Sequence, residues 1–103
     1  MRRVLFAPEA LADLRNLYDT IADNSLPERA LAYVEGLRQY CLGLADFPER
    51  GTRQDAIRPG LRTLGYRRRV TVAFHINDTA VVIDRILYGG RDWVGLLQEN
   101  DDE

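Results

Sequence analysis

The chain has 103 residues, 46% of them hydrophobic and 29% charged, with a formal net charge of −2. That is enough for one domain with a modest core, and the balance excludes a molecule that is basic over its whole surface. All 14 basic residues are arginines; arginine stays protonated at any working pH and is a poor general base, so His75, Cys41 and the N-terminus titrate nearest neutrality.

Residues 2–7 (RRVLFA) are short and apolar and read as a first strand. Pro8 suits a first helical turn, where its missing N–H is not needed, and Glu9 complements the helix dipole. Leu11, Leu14, Tyr18 and Ile21 recur at helical spacing, which predicts one buried face on a helix running to about Asp23. Ser25 and Glu28 have the spacing of a capping box, with Pro27 in the first turn. Ala30, Val34, Leu37, Cys41 and Leu44 then predict a second helix ending near Phe47, before Pro48.

Residues 48–60 hold Pro48, Gly51, Pro59 and Gly60 and read as a loop. Residues 61–66 form a weak strand and 68–76 a strong one. In the latter, Val70, Val72, Phe74 and Ile76 point one way, while Arg69, Thr71, Ala73 and His75 point the other. Asn77, Asp78 and Thr79 make a turn. Residues 80–88 are the last strand, with Asp84 and Arg85 on opposite faces, and Gly89 and Gly90 end it. Residues 91–97 predict a short terminal helix or packed extension, and the acidic tail from about residue 98 is expected to be mobile. The expectation is a single domain over 1–103. Its class is α+β with order β-α-α-β-β-β, a helical hairpin packed on a small, mainly antiparallel sheet.

A lone cysteine can form neither an internal disulfide nor a thiolate metal site, and Cys41 falls on the apolar stripe of the second helix, so it is read as core. Arg2 and Arg3 imitate a basic leader, but the apolar run from Val4 to Ala7 is too short for one. No run approaches membrane-spanning length, and a cytoplasmic protein is expected. No Gly-rich phosphate loop, metal-ligand cluster or Ser/His/Asp triad stands in a recognisable context, so no cofactor or metal is implied.

Several motifs, in order, resemble the ParE/RelE toxin superfamily of type II toxin–antitoxin systems. Pro8-Glu9-Ala10 with Asp13-Leu14 is similar to its S-P-x-A-x-x-D-L opening, with Ala7 in place of the usual serine. Leu44 to Pro48 with Gly51 resembles its L-x-x-x-P-x-x-G segment, and Gly60-Leu61-Arg62 its G-x-R entry into a strand. Residues 83–92 (IDRILYGGRD) resemble the ParE signature, with Tyr88 where histidine is frequent. The resemblance spans residues 2 to about 97. It implies the toxin fold and an antitoxin partner whose disordered segment folds across the toxin surface. Nothing resembles a helix-turn-helix, so sequence-specific DNA binding is expected of the antitoxin and not of this chain.

The two branches of the superfamily act differently. RelE-like members cut mRNA in the ribosome, which takes a base, cations for the phosphate and an acid. Aligned at Gly89-Gly90-Arg91, Arg62 and Arg91 fill two of five positions, while Leu64, Thr71 and Leu97 stand at the others. If this chain is a ribonuclease, its catalytic residues are Arg62, His75, Tyr88 and Arg91. ParE-like members lack the same residues and poison DNA gyrase, which is the reading the resemblance favours. A member that has lost toxicity and only binds antitoxin is the third possibility.

Seven arginines fall between Arg50 and Arg69, opposed by Asp55 alone. They form either a cationic surface for an acidic antitoxin, gyrase or DNA held by gyrase, or an ordinary solvated face. Strand alternation would set Arg67 and Arg69 opposite Arg68. The candidate contacts to target or antitoxin are Arg67, Arg69, Arg91, Asp92, Trp93, Leu96 and Leu97. Trp93, Leu96 and Leu97 form an apolar cluster of the kind found at interface hot spots. His75, on the face of Thr71, is read as structural, and Tyr18, Tyr33 and Tyr40 as core or groove lining.

Overall fold

A computed structural model of the chain describes residues 2–89. Strand β1 (Arg3–Phe6) alternates exposed and half-buried residues, so Val4 and Phe6 face the core. Ala7 is extended (φ −61°, ψ 154°), because the residue before a proline is barred from the helical region. Helix α1 (Pro8–Asn24) therefore starts with proline in its first turn. Helix α2 (Pro27–Leu42) returns beside it and passes into a 3₁₀ turn over Gly43–Ala45. The chain continues with β2 (Thr52–Arg53), β3 (Arg62–Tyr66), β4 (Val70–Ile76) and β5 (Ala80–Tyr88).

The strands form one sheet in the order β1-β5-β4-β3-β2. Only the β1–β5 pair is parallel. The result is two helices packed on a mixed five-stranded sheet, an α+β fold as the sequence predicts. Val70, Val72, Phe74, Val81, Ile83 and Ile86 turn toward the helices and meet Ala10, Leu14, Leu17, Leu37, Cys41 and Leu44. The opposite face carries a smaller cluster of Leu61, Ala73 and Leu87, covered by Ile57 from the 54–60 loop. No helix among the described residues is long and apolar enough to cross a membrane.

The register of β4 on β5 shifts by one residue after Ala73, which pairs with Arg85, while Phe74 pairs with Ile83. Asp84 is the extra residue of this β-bulge. A bulge re-aims side chains, and here Arg85 and Ile86, neighbours in sequence, both turn to the helix side. Asp84 turns to the other side, so it does not pair with Arg85.

Several sequence expectations are corrected. The Ser25–Glu28 capping box does not form: Leu26 is the N-cap, with no side-chain cap. The cause is Pro27, which holds Leu26 extended (φ −125°, ψ 146°) and lets the helix start no earlier than itself. The buried stripe of α1 is Ala10, Leu14 and Leu17, rotated from the predicted one, and Leu11 is 48% exposed. Helix α2 stops at Leu42 and not near Phe47, which is 70% exposed. The 48–60 loop contains β2, two residues paired with Arg62 and Thr63. Arg68 and Arg69 are not in a strand: β4 begins at Val70, and Arg67 (φ 50°) and Arg68 (φ 62°) are the left-handed centre of a turn.

Gly51 shows why one motif glycine is glycine. Its φ is +79°, and a Cβ there would lie 2.3 Å from the Thr63 carbonyl oxygen. Any larger residue would push the loop off the edge of β3.

Candidate functional site

One end of the molecule gathers aromatic rings and arginines on a scaffold of α2 and the β3–β4 hairpin. Tyr33, Gly36 and Tyr40 follow each other at helical spacing along α2. Tyr66, the last residue of β3, is inserted between the two helical tyrosines. Its ring lies edge-on to Tyr33 at 5.6 Å and tilted against Tyr40 at 5.0 Å. A Cβ on residue 36 would stand 2.7 Å from the Tyr66 hydroxyl, so glycine is what admits the ring. Tyr40 Oη donates to the Gly65 carbonyl at 3.1 Å, which ties the helix to the hairpin.

Arginines lie over these rings. The Arg67 guanidinium sits 5.3 Å from the Tyr66 ring and 6.0 Å from Tyr33, and that of Arg50 5.8 Å from Tyr40. Each such contact contributes about 0.5–1 kcal/mol when exposed. The Tyr33 hydroxyl oxygen is buried without a hydrogen-bond partner among the described residues. Burial first, then the Tyr66 and Tyr88 phenols, raise its pKa, and the charges of Arg67 and Arg69 pull it back in part. Arg67, Arg69, Tyr66 and Tyr88 are thus all felt at one hydroxyl. Tyr88 also lines a cleft of about 210 Å³ with Asp13, Asn16, Leu17, Thr20 and Ile86, between α1 and the end of β5.

Two ion-pair networks brace this end and the sheet behind it. Asp13 of α1 accepts from Arg85 Nε at 2.8 Å, from Arg85 Nη2 at 3.1 Å and from the Ile86 amide at 2.9 Å. On the face away from the helices, Asp84 Oδ2 accepts from Arg58 Nη2 at 3.0 Å and meets His75 Nδ1 at 2.8 Å. Cys41 is fully buried, and burial pushes its thiol up to about 12, which leaves it inert as a nucleophile at neutral pH.

Among the described residues, the catalytic candidates Arg62, His75 and Tyr88 are not brought together. Tyr88 packs against the helix-side core, whereas His75 bonds Asp84 on the opposite face. Arg62 pairs with Phe74 and Tyr88 with Val70, four residues apart on β4, or about 13 Å along the strand. Arg62 Nη1 instead donates to the Arg50 carbonyl at 3.4 Å. Of the contact candidates, Arg67 and Arg69 lie at the aromatic end, while Arg91, Asp92, Trp93, Leu96 and Leu97 are outside the described residues. Tyr66 was not singled out from the sequence. The signal that could have found it is Gly36, a glycine inside a helical pattern between two tyrosines, which marks a close approach. No group of three or more His, Cys, Asp or Glu among the described residues is placed to hold a metal. A wider depression of about 630 Å³, lined by Arg2, Asp46, Asp78 and Thr79 among others, opens at the far end of the sheet and contains no predicted site residue.

The family profile for the ParE toxin of the type II toxin–antitoxin system parDE matches residues 4–93. Among solved structures, a chain of the chromosomal ParDE system from P. aeruginosa is similar with a TM-score of 0.77. It is 26% identical in sequence, and the match covers 87% of this chain and 98% of that one. No curated protein matches the chain.

Proposed function

The chain belongs to the ParE toxin family of type II toxin–antitoxin systems, and from that premise we propose that it inhibits DNA gyrase and is held inactive by a cognate antitoxin. The antitoxin's disordered segment would fold across the helix–sheet surface, with the cleft beside Tyr88 as anchoring ground. The similar solved chain comes from a ParDE system, which supports an antitoxin partner here.

The observation that carries gyrase over ribosomal mRNA cleavage is the separation of His75 and Tyr88. These two described candidates for moving a proton face opposite sides of the sheet. A general acid and base must reach one scissile phosphate. Leu64 and Thr71, moreover, stand where the cutting branch carries basic side chains.

The test uses purified protein, gyrase from the native host, ATP and supercoiled plasmid. Loss of supercoiling with protein-linked double-strand breaks, both reversed by antitoxin, is the expected result. An untouched plasmid alongside growth arrest in cells would move the target to the ribosome. No growth arrest on expression without antitoxin would mark a member that only binds its partner.

A further inference from the structure

The β3–β4 turn is the most concentrated charge in the described chain. Arg67, Arg68 and Arg69 are consecutive and exposed, and no carboxylate among the described residues pairs with any of them. A molecule of net charge −2 thus carries three exposed cations on one turn, with no ion-pair partner among the described residues. Because they occupy a turn and not a strand, alternation does not divide them. Arg69 N donates to the Tyr66 carbonyl at 3.2 Å, which closes the turn, and Gly89 N donates to the Arg69 carbonyl at 2.9 Å, which ties the tip to the end of β5. Arg67 and Arg68 occupy left-handed positions that glycine or asparagine fills without strain. Arginine stands at both positions, at a cost in backbone strain.

We propose that this tip binds the phosphate backbone of duplex DNA, without reading sequence, through Arg67, Arg68 and Arg69. The chemistry fits: a guanidinium offers planar, bidentate donors to phosphate oxygens, and Arg67 is oriented by stacking over Tyr66 and Tyr33. A two-stranded ribbon has the width to enter the DNA major groove, whereas the deep groove of duplex RNA is closed to it. A folding acidic peptide is the rival occupant. A helix that folds into a groove docks by apolar anchors, whereas an acidic motif without them is held by arginine clusters, and a polyglutamate probe tests for it. Among the described residues, the exposed large apolar side chains are Leu5, Leu11, Leu26, Leu31 and Phe47, none of them at the tip. Exposed guanidinium charge on a ribbon turn, with the neighbouring Tyr33 and Tyr66 rings lying under Arg67, suits a phosphate backbone. The inference does not depend on gyrase being the target, since it is read on free DNA.

The probe is a fluorescein-labelled DNA duplex of mixed sequence, titrated with the full chain and followed by anisotropy at several salt concentrations. Three phosphate contacts predict a slope of log affinity against log salt near −2.7, or an affinity about 40-fold weaker at 200 mM than at 50 mM salt. Arg68→Ala, at an exposed position, should reduce that loss to about 12-fold by removing one contact. Arg68→Ala with Arg69→Ala should flatten it further, and lysine at the same positions should restore the slope. Thermal melts of each variant check that it is folded. The proposal is overturned if the double variant binds with the wild-type slope, or if no binding is seen to about 100 µM, the weak end of the non-specific range. Tighter binding of a polyglutamate peptide or of an RNA duplex than of the DNA would equally overturn it.

Discussion

Asp13 holds a helix to a strand with one carboxylate, and three donors from two consecutive residues converge on it. Its side chain is 12% exposed and that of Arg85 15%. Asp13→Ala takes these acceptors from the Arg85 guanidinium and the Ile86 amide, a loss worth about 2–4 kcal/mol for partly buried, charge-assisted bonds. In a domain of this size that lowers Tm by 10 °C or more, roughly. A melt within about 3 °C of wild type would show that the bridge is replaceable. Asp55 makes a different, pH-dependent contribution. The Gly60 amide, donating at 2.9 Å, and then the Arg53 guanidinium at 3.0 Å hold its carboxyl below the usual 3.8. A depressed carboxyl pKa stabilises the fold above the unfolded value, and that contribution is lost as pH falls through the folded value. Asp55→Asn is therefore expected to melt below wild type at pH 6, with the gap closing as the pH drops below about 4. A gap independent of pH would assign the effect to loop geometry and not to charge.

The β3–β4 turn shows a conflict within a single element. Two left-handed non-glycine residues cost about 1–2 kcal/mol each. Arg67 recovers part of that through its two tyrosine contacts, whereas Arg68 lies over no aromatic ring among the described residues. Arg68→Gly is thus expected to stabilise the protein by about 0.5–1 kcal/mol, raising Tm by several degrees while weakening any anion binding at the tip. A lowered Tm would mean that the turn is not strained at that position. The sequence pattern could not reveal this turn, because Arg-Arg-Arg before Val70 carries none of the Asn-Gly chemistry that announces a hairpin. Strand β2 was hidden by its length, since two residues hold no alternation. The bulge at Asp84 leaves no mark in the hydrophobic pattern, yet it decides which faces Asp84 and Arg85 occupy. What was legible had long period or strong punctuation: the apolar face of α2, the proline starts of both helices, and the β5 run from Ala80 to Tyr88. Asp13 and Gly51 were visible as motif letters, but their reasons are tertiary, a carboxylate bridge to β5 and a backbone approach to Thr63.

At the scale of the whole molecule, the described core already joins both helices to the sheet. Among the described residues, the two core clusters run from Ala10 in α1 to Leu87 in β5. Most of the target contacts expected from the sequence, Arg91, Asp92, Trp93, Leu96 and Leu97, come after it. A chain ending at Gly89 is therefore expected to keep a cooperative melt and to bind antitoxin, because the helix–sheet surface remains. The same truncation is expected to lose gyrase inhibition and growth arrest. Full toxicity of the truncated chain would remove the terminal residues from the mechanism and leave the tyrosine–arginine end as the contact to the target. Loss of the cooperative melt would instead make Trp93, Leu96 and Leu97 part of the packing, as their apolar character also allows. The full-length Arg91→Ala and Trp93→Ala variants separate these outcomes. Should both melt as wild type and fail to arrest growth, the terminal segment acts on the target directly; should Trp93→Ala alone melt early, its ring is core.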